Sequence, residues 1–583
     1  MGLEMRVILD IETDSLDAKV IYCIVCKDID TGRVTSFTCE DDPYFTKFKE
    51  YINGASLIVG HYIVCFDVPV IRRLLGCNLS LSILCDTMVL SRLFNPVRDG
   101  GHSLENWGRI LSSPKLDFKD FSEFTSEMLT YCIQDVELTY KVWCYLTTEG
   151  HKFSQESIEL EHQVAMLIHK QKLDGFKLDV RKAHQLFVET KSRADELQEE
   201  ITKDFLPKAQ PIKVVTPKYT KEGTLSKVGL KFFSSDDVAG SFTWIKWQEF
   251  NLGSPKQVVS RLEGHWKPRL FTENMHPKVC EENFETILDT APASIKKIGE
   301  YLMCTSRYKT ISQWLDAADK NDRVHGDVLP IGTITHRMAH NNPNMGNITA
   351  VDKPYGKDMR GCWTVEDPVN YSLVGTDASG IQLRILAHYM NDQDYINEVV
   401  NGDIHTKNQQ LAGIPTRNQA KTFIYAWLLG AGDAKVGTII GGDTKDGREV
   451  KERFLKNLPS LAKLKERAAR ASVLGYMVAL DGRHIPIKSE HYALSAYLQS
   501  GEALVMKKAM VLTWIKLGEL GIRKHWKQVA MVHDEYQDEV LNEYAEIVGK
   551  TRVQCITDAG LLLKVRTPLT GEYRIGKNWC ETH

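Results

Sequence analysis

The chain reads as α/β, organised as a multi-domain α+β protein, and three observations predict this. Its 583 residues exceed what one hydrophobic core accommodates, so several domains are expected. Residues 1–150 alternate short apolar strands with amphipathic helices. Further along, two apolar runs each end in an aspartate, Asp377 and Asp534, with a helix of strict four-residue pattern between them.

In chain order, strands are predicted at residues 7–9, 20–26 and 57–59, and helices at 68–75 and 127–145. Two amphipathic helices follow over 154–204, broken at Gly175, a C-cap candidate. The segment 207–240 carries Lys208, Lys213, Lys218, Lys221, Lys227 and Lys231, with little acid until Asp236. It reads equally as a solvated loop or hairpin and as a contact for a nucleic-acid backbone. Helices resume near Pro255 and continue to Asp319, and a mixed α/β region fills the remainder.

Composition is ordinary for a globular protein, and no apolar stretch is long enough to span a membrane. The opening M-G-L-E-M-R-V-I-L-D lacks a signal-peptide shape. A net charge of −3 excludes a uniformly basic coat but leaves room for a local basic groove. Of thirteen cysteines, only Cys23 and Cys26 stand in C-x-x-C spacing. On a strand they point to opposite faces, so buried thiols in a reducing compartment are expected rather than a zinc site.

The run 371–377 reads as a buried strand ending in Asp377, followed by a helix start at Ile381. Residues 528–534 repeat the theme, and 536–540 suggest a hairpin return. A carboxylate at the tip of an apolar strand is costly unless compensated, and a divalent metal compensates it well. Between the two lies T-R-N-Q-A-K-T-F-I-Y-A-W-L-L-G-A-G, where Arg417, Lys421, Tyr425 and Leu429 recur every fourth residue. Four-residue steps keep side chains on one helix face. A bidentate cation, a point cation and a phenol in that order suit a triphosphate followed by sugar and base.

With these motifs in place, the chain resembles the family A DNA polymerases, in style the replicative polymerases of short-tailed bacteriophages. D-A-S-G-I-Q-L-R at 377–384, N-G-D-I-H-T-K-N-Q at 401–409, R-N-Q-A-K-T-F-I-Y at 417–425 and V-H-D-E at 532–535 stand in the family's order. The resemblance covers nearly the whole chain. It implies that Asp377 and Asp534, with the carbonyl of Ala378, hold two Mg²⁺ ions, for which Mn²⁺ can substitute. It implies that His405, Arg417 and Lys421 grip the triphosphate, that Tyr425 lies beside the incoming sugar, and that 430–432 end the helix near the template base. Arg337, Gln499 and His533 match positions that read the minor groove at the primer end, where acceptors are similarly placed in every correct pair.

A second set of acids lies near the N-terminus: Asp10 and Glu12 end the first strand, Asp67 follows Phe66, and Tyr131 and Asp135 share a predicted helix face. This order resembles the 3′→5′ proofreading exonucleases of the DEDDy type, which have an RNase H-like fold. The resemblance implies two further metals on Asp10, Glu12, Asp67 and Asp135, with Tyr131 placing the attacking water. The family pattern H-N-x-x-x-F-D appears here as H-Y-I-V-C-F-D, with Tyr62 in place of Asn. That leaves open how a single strand is held around residue 62.

Two more departures concern the polymerase site. Gln382 stands where the family usually has Glu, and Leu429 where it usually has Tyr. The pair reads as a matched replacement, because a buried Glu without its phenol is an unpaired charge. Gln382 is expected to keep blocking a ribose, and Tyr425 to favour use of dideoxynucleotides.

The domains implied are an exonuclease over 1–150 and then a right hand. The hand comprises thumb 151–325, palm 326–400 and 476–583, and fingers 401–475. The partners implied are primer-template DNA, dNTPs and a replicative helicase-primase; no processivity factor is legible. The chain is expected to serve viral DNA replication in a host cytoplasm. The alternative is a bacterial-type repair polymerase, against which the chain's length and its lack of a 5′-nuclease region weigh.

Overall fold

The computed structural model describes residues 5–216, 218–227, 231, 240–272 and 274–583. A five-stranded sheet opens the chain: β1 Met5–Thr13, β2 Ile21–Asp28, β3 Val34–Thr38, β4 Ala55–Gly60 and β5 Leu84–Asp86, in the order β3-β2-β1-β4-β5. β1 runs antiparallel to β2 and parallel to β4, so it is the central strand and both its faces are buried. Its period-two alternation sends Val7 and Leu9 into one core and Ile8 into another. The second core is closed by Cys132 and Val136 of the helix Ser126–Glu149, whose first turn Thr125 caps by accepting from Met128 N–H. Cys23 and Cys26 fall in opposite cores, as strand alternation requires, and burial pushes the Cys26 thiol pKa well up.

The helix Gln155–Asp174 ends at Gly175, whose φ of 63° suits a residue without Cβ and whose N–H donates to the Gln171 carbonyl. Residues Arg181–Gln313 form a compact unit of their own. Leu197, Ile201, Val258, Leu262, Ile295 and Ile298 make its small core. Its strands Lys208–Val215 and Phe242–Gln248 pair as an antiparallel arm with mostly exposed side chains. Lys208, Lys213, Lys218, Lys221, Lys227 and Lys231 are all exposed. Within the segment 207–240, residues 217, 228–230 and 232–239, Asp236 among them, lie outside the described residues. Helix is less continuous than expected after Pro255: Pro255–Leu262 and Ala293–Ala317 are separated by turns and one short helix, Glu281–Phe284.

The other compact unit holds both acid sets. Its second main sheet is antiparallel, in the order Trp526–Val532, Glu535–Leu541, Tyr371–Asp377, Glu572–Gly576. The 30-residue helix Glu490–Glu519 is buried along most of its length. It packs with the helices Gln155–Asp174, Ile381–Met390, Pro459–Leu474 and Ala545–Leu562. Residues 404–474 carry five helices joined by short turns: Ile404–Ala412, Arg417–Leu428, Asp433–Ile439, Thr444–Asn457 and Pro459–Leu474. Among the described residues, no helix is long and apolar enough to cross a membrane.

Candidate active sites

Asp377 ends the strand Tyr371–Asp377 opposite Glu535, and Val532 pairs with Glu535 across a two-residue turn made of His533 and Asp534. Tight hairpin turns of this length need positive φ, and His533 has 56°. The Ala378 N–H donates to the Asp534 carbonyl at 3.0 Å, which stitches the two acid-bearing tips together. Burial, then the neighbouring Asp534 and Glu535, raise the Asp377 pKa to about 7. Burial raises Asp534 as well. Glu535 behaves differently: burial would raise it, but His583 and Arg360 hold it below the usual range, and Gln537 and Trp579 donate to it. Asp377 and Asp534 are therefore the two acids of this edge left in need of positive charge.

Thr416 caps the helix Arg417–Leu428 by accepting from Gln419 N–H. Ala420, Phe423, Ile424, Trp427 and Leu428 bury one face. The opposite face presents exposed Arg417, Lys421 and Leu429 and half-buried Tyr425. Burial and then the fields of Asp534 and Asp377 raise the Tyr425 phenol pKa, so this face looks onto the two acids. The His405 ring lies 6.0 Å from that of Tyr425, and its buried Nδ1 has no hydrogen-bond partner. Arg417 donates twice to Asp403, at 2.7 and 3.0 Å, and that carboxylate also caps the helix Ile404–Ala412.

Gln382 and Leu429 have different surroundings. Leu429 is 51% exposed at the helix end, whereas the Gln382 Nε2 donates to Glu502 at 3.0 Å. Glu502 is fully buried and also accepts from Arg337 Nη2 at 2.5 Å. A buried charge needs donors on each oxygen, and the neutral amide of Gln382 supplies one of them. Arg337, Glu502 and His533 line one small cleft. Gln499 lies one turn earlier on the helix of Glu502 and accepts from Thr335 Oγ at 3.2 Å.

In the N-terminal sheet, Asp10 and Glu12 leave the end of β1, and Asp67 accepts the Ile11 N–H at 3.2 Å. Burial, then Asp67, Glu12 and Asp135, push Asp10 well above the carboxylate range. Burial and Asp135 take Glu12 to about 8, and burial takes Asp67 to about 7. Asp135 has one oxygen paired with Lys115 at 2.6 Å and the other, Oδ1, buried without a partner. Tyr131 lies beneath Lys115, with the cation 4.7 Å from its ring centroid. Asp10, Glu12 and Cys132 bring ligand atoms within 4.8 Å of one another, a candidate metal centre. Mutually repelling acids and an orphaned oxygen fit a divalent cation. Sequence reasoning assigned no role to Lys115, Asp403, Glu502 and Cys132, although Asp403 stands in the motif at 401–409 and Cys132 lies one helix turn before Asp135.

Two charge-starved acids on adjacent strand tips, faced by a helix of cations and a phenol, define a nucleotidyltransferase of the polymerase class. The model of DNA polymerase family A matches residues 237–581. The chain is 30% identical to the DNA-directed DNA polymerase of Escherichia phage T7, over 99% of this chain and 100% of the phage protein. It is also 30% identical to that of Enterobacteria phage T3, over 98% and 99%. The POL domain of Pol1 from M. smegmatis, solved with DNA primer-template and dNTP, shares the fold with a TM-score of 0.78 at 17% identity, covering 100% of this chain and 96% of that one. The chain belongs to DNA polymerase family A.

Proposed function

We propose that this polymerase extends a primer 3′-hydroxyl on template DNA with dNTPs, proofreads through a 3′→5′ exonuclease, and serves viral DNA replication. The observation that carries the first part is geometric: Asp377 and Asp534 stand on adjoining strand tips, tied by the Ala378 N–H bond to the Asp534 carbonyl, and the helix Arg417–Leu428 exposes Arg417 and Lys421. Arg417 and Lys421 bind the triphosphate, and Arg417 leaves Asp403 to do so. The exposed bidentate pair with Asp403 is cheap to exchange for a phosphate. His405 offers its unpartnered ring nitrogen to the same group. Arg337, Gln499 and His533 face the primer end; the Glu502 bridge couples Arg337 to Gln382.

Asp377, Asp534 and the Ala378 carbonyl would hold two Mg²⁺ ions, and Asp10, Glu12, Asp67 and Asp135 would hold two more, with Mn²⁺ able to substitute. Bound metal lowers the pKa of the attacking oxygen and stabilises charge on the leaving group. Lys115 neutralises Asp135 and orients Tyr131, which places water for excision. The near-complete alignment with two phage polymerases supports a replicative role over bacterial-type repair.

Extension of matched and mispaired primers by the unmodified enzyme, Asp10→Ala and Asp534→Ala separates the activities. Asp534→Ala should abolish synthesis and keep excision, and Asp10→Ala the reverse. Excision surviving Asp10→Ala together with Glu12→Ala would remove the exonuclease assignment.

A further inference from the structure

Glu502 is a fully buried acid on the helix Glu490–Glu519, with no part in binding metal or phosphate. Taking a carboxylate out of water is costly, and a buried ion pair stabilises little over an apolar pair of similar volume. What such a pair does supply is placement, and the contacts of Glu502 show what is placed. One oxygen accepts from Arg337 Nη2 at 2.5 Å and the other from Gln382 Nε2 at 3.0 Å. An ionised carboxylate only accepts, so the Gln382 amide turns its nitrogen toward Glu502 and its carbonyl oxygen away.

Arg337 is tied to the same helix from both sides. Its N–H donates to Thr333 Oγ at 3.0 Å across a tight turn, in which the His336 N–H donates to the Thr333 carbonyl at 3.0 Å. His336 closes that turn with φ of 61°, a left-handed conformation uncommon outside glycine. Thr335 of the turn donates to Gln499. Gln499 and Glu502 stand three residues apart and so share one face of their helix. The backbone leading to Arg337 is therefore fastened at Gln499, and its guanidinium at Glu502. A guanidinium carries five donors. Glu502 engages Nη2, and the buried Nε has no partner among the described residues, so the protein aims this fork without saturating it. His533, the neighbour of Asp534 in the chain, lines the same small cleft.

We propose that Glu502 is a positioning residue for selectivity: it holds Arg337 against the minor groove of the primer-terminal pair and Gln382 against the incoming nucleotide, so that one carboxylate sets both. The inference rests on the reading of Arg337 and Gln382 as contacts for those two groups and adds the residue through which they are held. Glu502 itself touches no substrate. A correct terminal pair presents its groove acceptor where Arg337 waits, and a mispair displaces it. Loss of Glu502 therefore costs matched ends a hydrogen bond that mispaired ends never had.

The test uses the full chain carrying Asp10→Ala and Glu12→Ala as parent, so that mispaired ends are not excised. Single-nucleotide extension of matched and mispaired primers gives the ratio of kcat/KM for the two ends, and the matched primer gives the dNTP KM. Glu502→Gln should lower the matched-to-mispaired ratio at least about ten-fold, the lower end of what a hydrogen bond to a charged group contributes, and raise the dNTP KM. A merely structural loss removes active enzyme from both reactions alike and leaves the ratio unmoved. In an Arg337→Ala background Glu502→Gln should lower the ratio no further, and in Gln382→Ala it should raise KM no further, because it acts through those side chains. Arg337→Lys keeps a cation for Glu502 but no second arm, so it should lower the ratio as far as Arg337→Ala does; it decides the matter if Glu502→Gln does not fold. A ratio unchanged by Glu502→Gln, effects that multiply in either double variant, or an Arg337→Lys enzyme as selective as its parent overturns the inference. A ratio that Arg337→Ala leaves unchanged removes instead the primer-end reading of Arg337 on which it rests.

Discussion

Gln382→Glu restores the residue usual in the family, and the structure says it will harm this protein. The amide lies 3.0 Å from a fully buried Glu502 oxygen, and burial already raises the pKa of Glu502. Two ionised carboxylates at that separation repel by about 5 kcal/mol at an effective dielectric near 20. The lost hydrogen bond to a charged acceptor adds roughly 1.5–3 kcal/mol. The pair escapes by keeping a proton between its two members, which raises the folded-state pKa of the new acid. The sign follows from that. A raised folded pKa leaves stability intact below the unfolded value near 4.3 and removes it as pH rises, by about 1.4 kcal/mol per unit. The variant should therefore match its parent near pH 4.5 and lose roughly 4–5 kcal/mol by pH 8. Urea melts at pH 5, 6.5 and 8 read this directly, and the dNTP KM at the same pH values should rise in parallel. Adding Glu502→Gln should recover most of the loss at pH 8, although it also strips Arg337 of its carboxylate. A Gln382→Glu protein as stable as its parent at pH 8 would refute the reasoning.

The acid cluster of the N-terminal sheet makes a second pH prediction. Glu12 at about 8 and Asp67 at about 7 are raised, so metal-free stability should fall by a few kcal/mol as pH climbs from about 4 to 8. Mg²⁺ should reverse the fall in calorimetric melts, and Asp10→Asn should blunt it. Arg483 joins Glu161 and Asp481 without solvent access, and Lys507 shares Glu161. Arg483→Met should cost about 3–5 kcal/mol in urea unfolding because the acids lose their partner. Tyr425→Phe should leave dNTP incorporation near parental levels and reduce dideoxynucleotide use at least ten-fold in terminated primer extension. Undiminished termination would count against the phenol's assigned role.

Much of the fold was legible from local pattern. The alternation at 20–26 put Cys23 and Cys26 in separate cores, and apolar runs closing on acids marked the strand tips at Asp377 and Asp534. The helix Arg417–Leu428 was readable from its four-residue spacing, since covalent geometry fixes which side chains share a face. The partner of Gln382 was not readable. Leu429 suggested itself through family pattern, yet the residue that meets the amide is Glu502, 120 positions away.

The sequence by itself determined which chemical groups stand on which face of each element, and with them the family. Only the tertiary structure decided which charges are compensated. Glu535 finds Trp579 and His583, Glu502 finds Arg337 and Gln382, and Asp135 finds Lys115. Periodicity acts within a few residues, whereas the cost of a buried charge is settled by whatever the packed sheets and helices bring within about 3–4 Å.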